Sequence, residues 1–234
     1  MFLVQRTKNI AIIFFSLNAP QQGKAKKILS TGLLRNEALN SAFINRTEKI
    51  LAKVGLPVFR FDENNQKGNQ FGEKLANAYQ EIFDLGYESI IAVGNDSPEL
   101  INADWDQIQA HLIDGKSVIG PTLRGGTYLI GLSRQNFKRD KFAQLPWQTN
   151  LLFFQLQQYC KVNNSPYSVL RKVRDINTYF DLKILLGNKY LDSAMRKFIL
   201  LLSAIKQKLV LKKNLFIVSS AILLESPFRA PPSR

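Results

Sequence analysis

The chain has almost none of the residues that most often build metal and redox centres. Its 234 residues include one cysteine, Cys160, and one histidine, His111. A single cysteine excludes an internal disulfide framework and any cysteine-rich zinc site. A single histidine excludes a multi-histidine metal centre and argues against a serine–histidine triad. Long apolar runs are missing too: no stretch reaches the roughly eighteen residues of a membrane span. The run that follows Arg6 and Lys8, Ile10–Phe15, is six residues long, and no small-residue cleavage signal comes after it. It reads as a first strand rather than a signal peptide, and the expected compartment is the cytoplasm. Acidic residues are outnumbered, 18 against 32 basic ones, for a net charge of +14. That excess suits nucleic acid, a membrane surface or a phosphate-bearing substrate, without choosing among them.

What is present fits a packed α/β domain. Hydrophobic residues make up 45% of the chain, with 16 Phe and 7 Tyr, enough for a core and against disorder. Strand-like runs at Ile10–Leu17, Val58–Phe61, Ser89–Val93, Val118–Gly120, Tyr128–Leu132 and Ser168–Val173 alternate with helical spacings. The helices are expected at Asn36–Val54, Phe71–Leu85, Asp104–Ile113, Thr149–Tyr159 and Thr178–Leu186, and a loop at Asn18–Gly23. This alternation predicts a three-layer sandwich with a mostly parallel central sheet.

The last segment differs in charge. Residues 183–234 hold ten basic and two acidic residues, +8, against +6 for residues 1–182. The expected organisation is a domain over 1–186 and a basic, apolar extension over 187–234 packed on it. The apolar runs Phe198–Ile205 and Leu215–Leu224, broken by Lys206, Lys208, Lys212 and Lys213, leave peripheral membrane contact as the other reading.

In open α/β sheets ligands bind at the carboxyl ends of strands, so the loops after strands hold the candidates. The first is Ala19 to Lys27, where Gly23 lets backbone approach a phosphate and Lys24, Lys26 and Lys27 supply charge. An exposed basic turn is the plainer reading. The second is Gly94 to Leu100: Asp96 ends an apolar strand, and its oxygens suit Mg²⁺ or Mn²⁺, or simply cap the next turn. The third is Gly120 to Leu132, where Gly125 and Gly126 permit close backbone approach and Arg124 offers a guanidinium to phosphate or carboxylate. His111 and Cys160 read as structural, and Trp147 as a packing anchor.

Taken together, these segments resemble a specific family. Its pattern runs A-P-x-P-G-x-x-K-T-R-L, G-E-R-M, G-[ST]-D-x-P-[DE]-L, G-P-x-x-D-G-G-Y-Y-L-I-G-L, P-W-S-T and R-D-[IV]-D-T-x-x-D-L. The matching pieces here are Ala19–Leu29, Gly72–Leu75, Gly94–Leu100, Gly120–Leu132, Pro146–Thr149 and Arg174–Leu182, all in the same order. The chain is thus similar to the radical-SAM/selenodomain-associated transferases of glycosyltransferase-A fold, relatives of the nucleotide-diphospho-sugar transferases. Four positions depart from the pattern: Lys27 stands for Thr, Ile28 for Arg, Arg124 for Asp and Asn177 for Asp.

The resemblance implies a protein that binds a nucleotide sugar or other nucleotide and transfers the sugar to an acceptor. It implies nucleotide or substrate contacts at Ala19, Pro20, Gly23, Lys24, Lys26, Gly72, Glu73, Glu99, Gly125, Gly126, Tyr128 and Trp147. Asp96 and Arg124 become the catalytic candidates, with Asp96 holding Mg²⁺ or Mn²⁺. A nucleotidyltransferase on the same fold and a catalytically inactive binding homologue are the alternatives. No nucleic-acid reader motif is present, so no specific nucleic-acid partner is expected.

Overall fold

Strand β1, Ile10–Phe15, is buried at all six positions, as expected of a strand covered on both faces. The computed structural model in which it lies describes residues 9–30, 32–189 and 191–203. The chain divides into two compact units, Met1–Leu191 and Asp192–Arg234. In the second, a helix spans 193–203, and the Asp192 carboxylate accepts from the Met195 N–H at 2.7 Å near its start. The expected apolar run Leu215–Leu224 and the lysines before it lie outside the described residues.

In the first unit, β1 is followed by α1 (Ala19–Ala25), α2 (Leu33–Leu51), β2 (Val58–Phe61), α3 (Phe71–Asp84) and β3 (Ser89–Val93). A short 3₁₀ turn, Pro98–Asn102, leads to α4 (Trp105–Ile113), then β4 (Ser117–Pro121) and β5 (Thr127–Ser133). The unit continues with α5 (Arg139–Ala143), α6 (Leu152–Val162), β6 (Tyr167–Val169) and α7 (Tyr179–Leu186). The six strands form one sheet in the order β2-β1-β3-β5-β4-β6. Neighbours are parallel except at β5, which runs antiparallel to both β3 and β4. The expected mostly parallel three-layer α/β fold is what the chain adopts.

The period-2 alternation of side chains assigns the strands to two cores. Ala11, Ile13 and Phe15 join Ile90, Ile130 and the aromatic rings of Tyr79, Phe83 and Phe142 on one face. Ile10, Ile12 and Phe14 join Ile91 and Val118, with Ile44 and Leu51 of α2 and Ile108 and Leu112 of α4, on the other. The buried Tyr79 hydroxyl donates to the Ile130 carbonyl at 2.7 Å and ties α3 to β5.

Several expected boundaries shift for local reasons. The anticipated loop Asn18–Gly23 is mostly helix α1, because Asn18 caps it by accepting from Gln21 N–H and Pro20 fits its first turn. Helix α6 starts at Leu152 rather than Thr149. Before it, Thr149 closes a turn by donating to the Pro146 carbonyl at 2.7 Å, and Gln148 takes a left-handed φ of 61°. Strand β6 ends at Val169; Val173 forms only an isolated bridge to Thr122.

Candidate functional site

A cleft of about 880 Å³ opens at the carboxyl ends of β1 and β3 and the start of β5. Its floor includes Phe15, Ala92 and Ile130, so the strands that make the core also make the site. The charged groups along its walls are Lys26, Lys74 and Arg124, with Asp96 and Asp175.

Asp96 lies in the Gly94–Leu100 loop, and its carboxylate is ion-paired to the Lys26 ammonium just beyond α1. Both side chains stay partly accessible. The Asp96 carbonyl accepts from the Ile176 N–H at 2.9 Å, stitching this loop to the segment before α7.

Arg124 projects from the turn joining β4 to β5. That turn is closed by Gly125 N–H to the Thr122 carbonyl, 3.2 Å, and Thr122 N–H to the Gly126 carbonyl, 2.9 Å. Gly125 has φ +79°, and a Cβ there would stand 2.0 Å from the Asn150 carbonyl oxygen, so glycine is required for both conformation and packing. Arg124 Nη2 donates to both carboxylate oxygens of Asp181, 2.8 Å each, while Nη1 lies 3.8 Å from Asp175 Oδ1.

Asp181 itself is wholly buried. It forms a capping box with Thr178 at the start of α7, and Arg174 Nη1 approaches it at 3.3 Å. Burial would raise its carboxyl pKa. The Arg124 guanidinium, the Thr178 hydroxyl and the backbone N–H groups of Asn177 and Thr178 outweigh burial and hold the group at about 2.

Of the residues expected from the sequence, the fold brings Lys26, Asp96, Arg124, Gly126, Tyr128 and Trp147 to the cleft. Gly125, between Arg124 and Gly126, is not a lining residue. Tyr128 is largely buried, and that burial pushes its phenol up to about 12, so it serves as a neutral wall. Ala19, Pro20, Gly23 and Lys24 are on α1 away from the lining, and a Cβ on Gly23 would stand 2.8 Å from Glu37 N. Gly23 therefore lets α1 and α2 approach closely.

Gly72 plays a similar part. A Cβ there would be 2.1 Å from the Ala143 carbonyl oxygen and 2.4 Å from Trp147 Cδ1. Glu73 is the other half of the α3 capping box, accepting from Asn69 and Gln70 N–H, which hold its carboxyl below the ordinary range. Glu99 pairs with Arg171 at 2.9 Å. Ile28, which stands where the family pattern has Arg, is buried.

The sequence reading does not single out Gln22, Lys74, Gln148 or Asp175, all of which line the cleft. Gln148 belongs to the Pro146–Thr149 piece, and only three dimensions show that it is a non-glycine residue with positive φ. Asp175 Oδ2 accepts from the Asn177 amide, and its buried Oδ1 has no hydrogen-bond partner. Cys160 is buried, which pushes its thiol up to about 11 against the lowering effect of the Ser117 and Ser165 hydroxyls; this fits a structural role.

The side chains present fit a divalent cation poorly. Mg²⁺ and Mn²⁺ want several oxygen ligands, and among the described residues no group of three His, Cys, Asp or Glu side chains is arranged to hold a metal. Asp96 already holds the Lys26 ammonium. A doubly charged ion about 4 Å from that ammonium would be repelled by about 8 kcal/mol at an effective dielectric of ~20.

A family model described as "Uncharacterized protein conserved in bacteria (DUF2064)" matches residues 52–149, a span that includes Asp96, Arg124, Tyr128 and Trp147. No curated protein matches the chain. Among solved structures, the chain is similar to a "putative nucleotide-diphospho-sugar transferase" from Desulfovibrio desulfuricans G20, with TM-score 0.72 and 21% identity, covering 86% of this chain and 98% of that one. It also aligns with Rv0371c from Mycobacterium tuberculosis H37Rv in complex with manganese, at TM-score 0.46 and 14% identity over 77% of this chain and 99% of that one. A cytidylyltransferase from Leptospira borgpetersenii gives TM-score 0.43 and 14% identity over 95% and 99%. Among the described residues, no helix is long and apolar enough to cross a membrane. The chain shares its fold with the Desulfovibrio protein.

Proposed function

We propose that the cleft binds a nucleoside diphosphate sugar and that the chain transfers the sugar to an acceptor hydroxyl. The observation that carries this reading is the meeting of Lys26 and Arg124 in one cleft at the strand ends, where α/β folds take their ligands. The name given to the Desulfovibrio protein, with its TM-score of 0.72, supports the same class of ligand.

In this reading the donor's diphosphate lies against Lys26 and Arg124. As the acceptor oxygen bonds to the anomeric carbon, the bond from that carbon to the diphosphate oxygen breaks, and negative charge builds on the leaving diphosphate. Cations fixed before reaction stabilise that charge without reorganising. The hydroxyl proton passes to Asp96 Oδ1, the carboxylate oxygen not used by Lys26. Gly126 and Trp147 border the sugar.

A thermal-shift screen of nucleotide sugars against the wild type and Asp96→Ala tests the reading. A donor that raises the melting temperature and releases its nucleoside diphosphate in the presence of acceptor sugars or glycans supports it. If no nucleotide or nucleotide sugar stabilises the protein at millimolar concentration, the reading fails. Stabilisation by nucleoside triphosphates with release of pyrophosphate would instead favour nucleotidyl transfer.

A further inference from the structure

We propose that this cleft holds the diphosphate of its ligand without a divalent cation, with Lys26 and Arg124 supplying the positive charge. The inference rests on the nucleotide-diphosphate reading above and concerns how that ligand is held.

Two carboxylates line the cleft, and each already faces a cation. Asp96 Oδ2 is paired with Lys26 Nζ. Asp175 Oδ1 faces Arg124 Nη1 at 3.8 Å, and its Oδ2 accepts from Asn177. A metal bound at either carboxylate would stand beside a cation already paired with it. The same arrangement suits an anion. The Lys26 ammonium has three N–H donors, and its bond to Asp96 uses one.

Arg124 is better prepared still. Its Nη2 spends its hydrogens on Asp181, a carboxylate with no solvent exposure, and this fixes the plane of the guanidinium. Its side chain is nevertheless 42% exposed and belongs to the cleft lining, so the residue stays within reach of a ligand there. A guanidinium held on one edge by a buried acid loses little freedom when its other edge takes a phosphate. Lys74 adds a third cation to the cleft lining.

The test measures binding rather than turnover. UDP, CDP, GDP, ADP and TDP are each titrated calorimetrically into the full chain, once with EDTA and once with millimolar Mn²⁺. The inference expects that any diphosphate that binds does so with dissociation constants within about threefold in the two buffers. A loss of tenfold or more in EDTA overturns it and leaves the nucleotide reading standing. Failure of all five in both buffers overturns the nucleotide reading as well.

Lys26→Gln and Arg124→Gln, checked for native circular dichroism, are each expected to weaken binding in EDTA at least tenfold. Lys26→Gln, which frees Asp96, is further expected to regain affinity with Mn²⁺. If both variants bind like the wild type in EDTA, the assignment of these two cations is wrong.

Discussion

Arg124 and Asp181 stand 57 positions apart, yet one guanidinium nitrogen donates to both oxygens of the buried carboxylate at 2.8 Å each. Asp181 also anchors the first turn of α7 through Thr178. A single acid therefore fixes a cleft cation and a helix start together.

Asp181→Asn should show what this link is worth. Breaking a buried ion pair costs more than breaking an exposed one, but Arg124 is 42% exposed and part of its charge returns to water. The expected loss is about 2 kcal/mol. Urea denaturation of the variant beside the wild type measures it; a change below about 0.5 kcal/mol would be that of an ordinary surface site.

The same pair predicts an acid-labile fold. The folded Asp181 carboxyl sits near 2, below its ordinary value of 3.8, so ionisation favours the native state. Its contribution is complete above about pH 4 and is lost as pH falls toward 2, on the order of 2 kcal/mol. Stability measured across that interval should fall more steeply for the wild type than for Asp181→Asn. Parallel slopes would contradict the assignment.

Gly72→Ala tests the packing beneath the cleft. The added methyl meets the Ala143 carbonyl, which cannot swing aside, and the indole of Trp147. A destabilisation of about 1–3 kcal/mol is expected, with weaker ligand binding because Trp147 must move. Thermal melting and a ligand titration on one sample read both effects.

Gln148 pays for its position with a left-handed backbone. Gln148→Gly should relieve that conformation and leave stability unchanged or higher by up to about 1 kcal/mol, whereas Gln148→Val should lower it. Differential melting should place Gln148→Val below the wild type and Gln148→Gly at or above it; a Gln148→Val as stable as the wild type would contradict the strain.

Cys160 should be inert in the folded chain. Its buried thiol, pushed up to about 11, carries little thiolate near neutral pH. Iodoacetamide labelling followed by mass spectrometry is expected to modify it only after denaturant is added. Rapid labelling of the native protein would mean that the site opens.

Much of the fold is legible along the chain. Ile10–Phe15 has to be buried because it is wholly apolar, and the spacing of Phe71, Leu75, Ala78 and Ile82 commits α3 to one face. Those are local facts of periodicity and burial. Helix α1 is missed where Asn18 and Pro20 act as a start signal inside what reads as a loop. The ordered loops after β1, β3 and β4 also announce the cleft.

Individual roles within those loops are not local facts. Gly23, Gly72 and Glu73 belong to recognisable segments, but neighbouring backbone and helix caps account for them. The partners Lys26 with Asp96 and Arg124 with Asp181 depend on which strands lie side by side, and the order β2-β1-β3-β5-β4-β6 is a property of the whole sheet. Residue pattern fixes what each segment buries, because hydrophobic periodicity acts over a few residues. Which charge meets which is settled only when distant loops converge at the sheet's end, since the cost of leaving a buried carboxylate unpaired falls on the assembled structure.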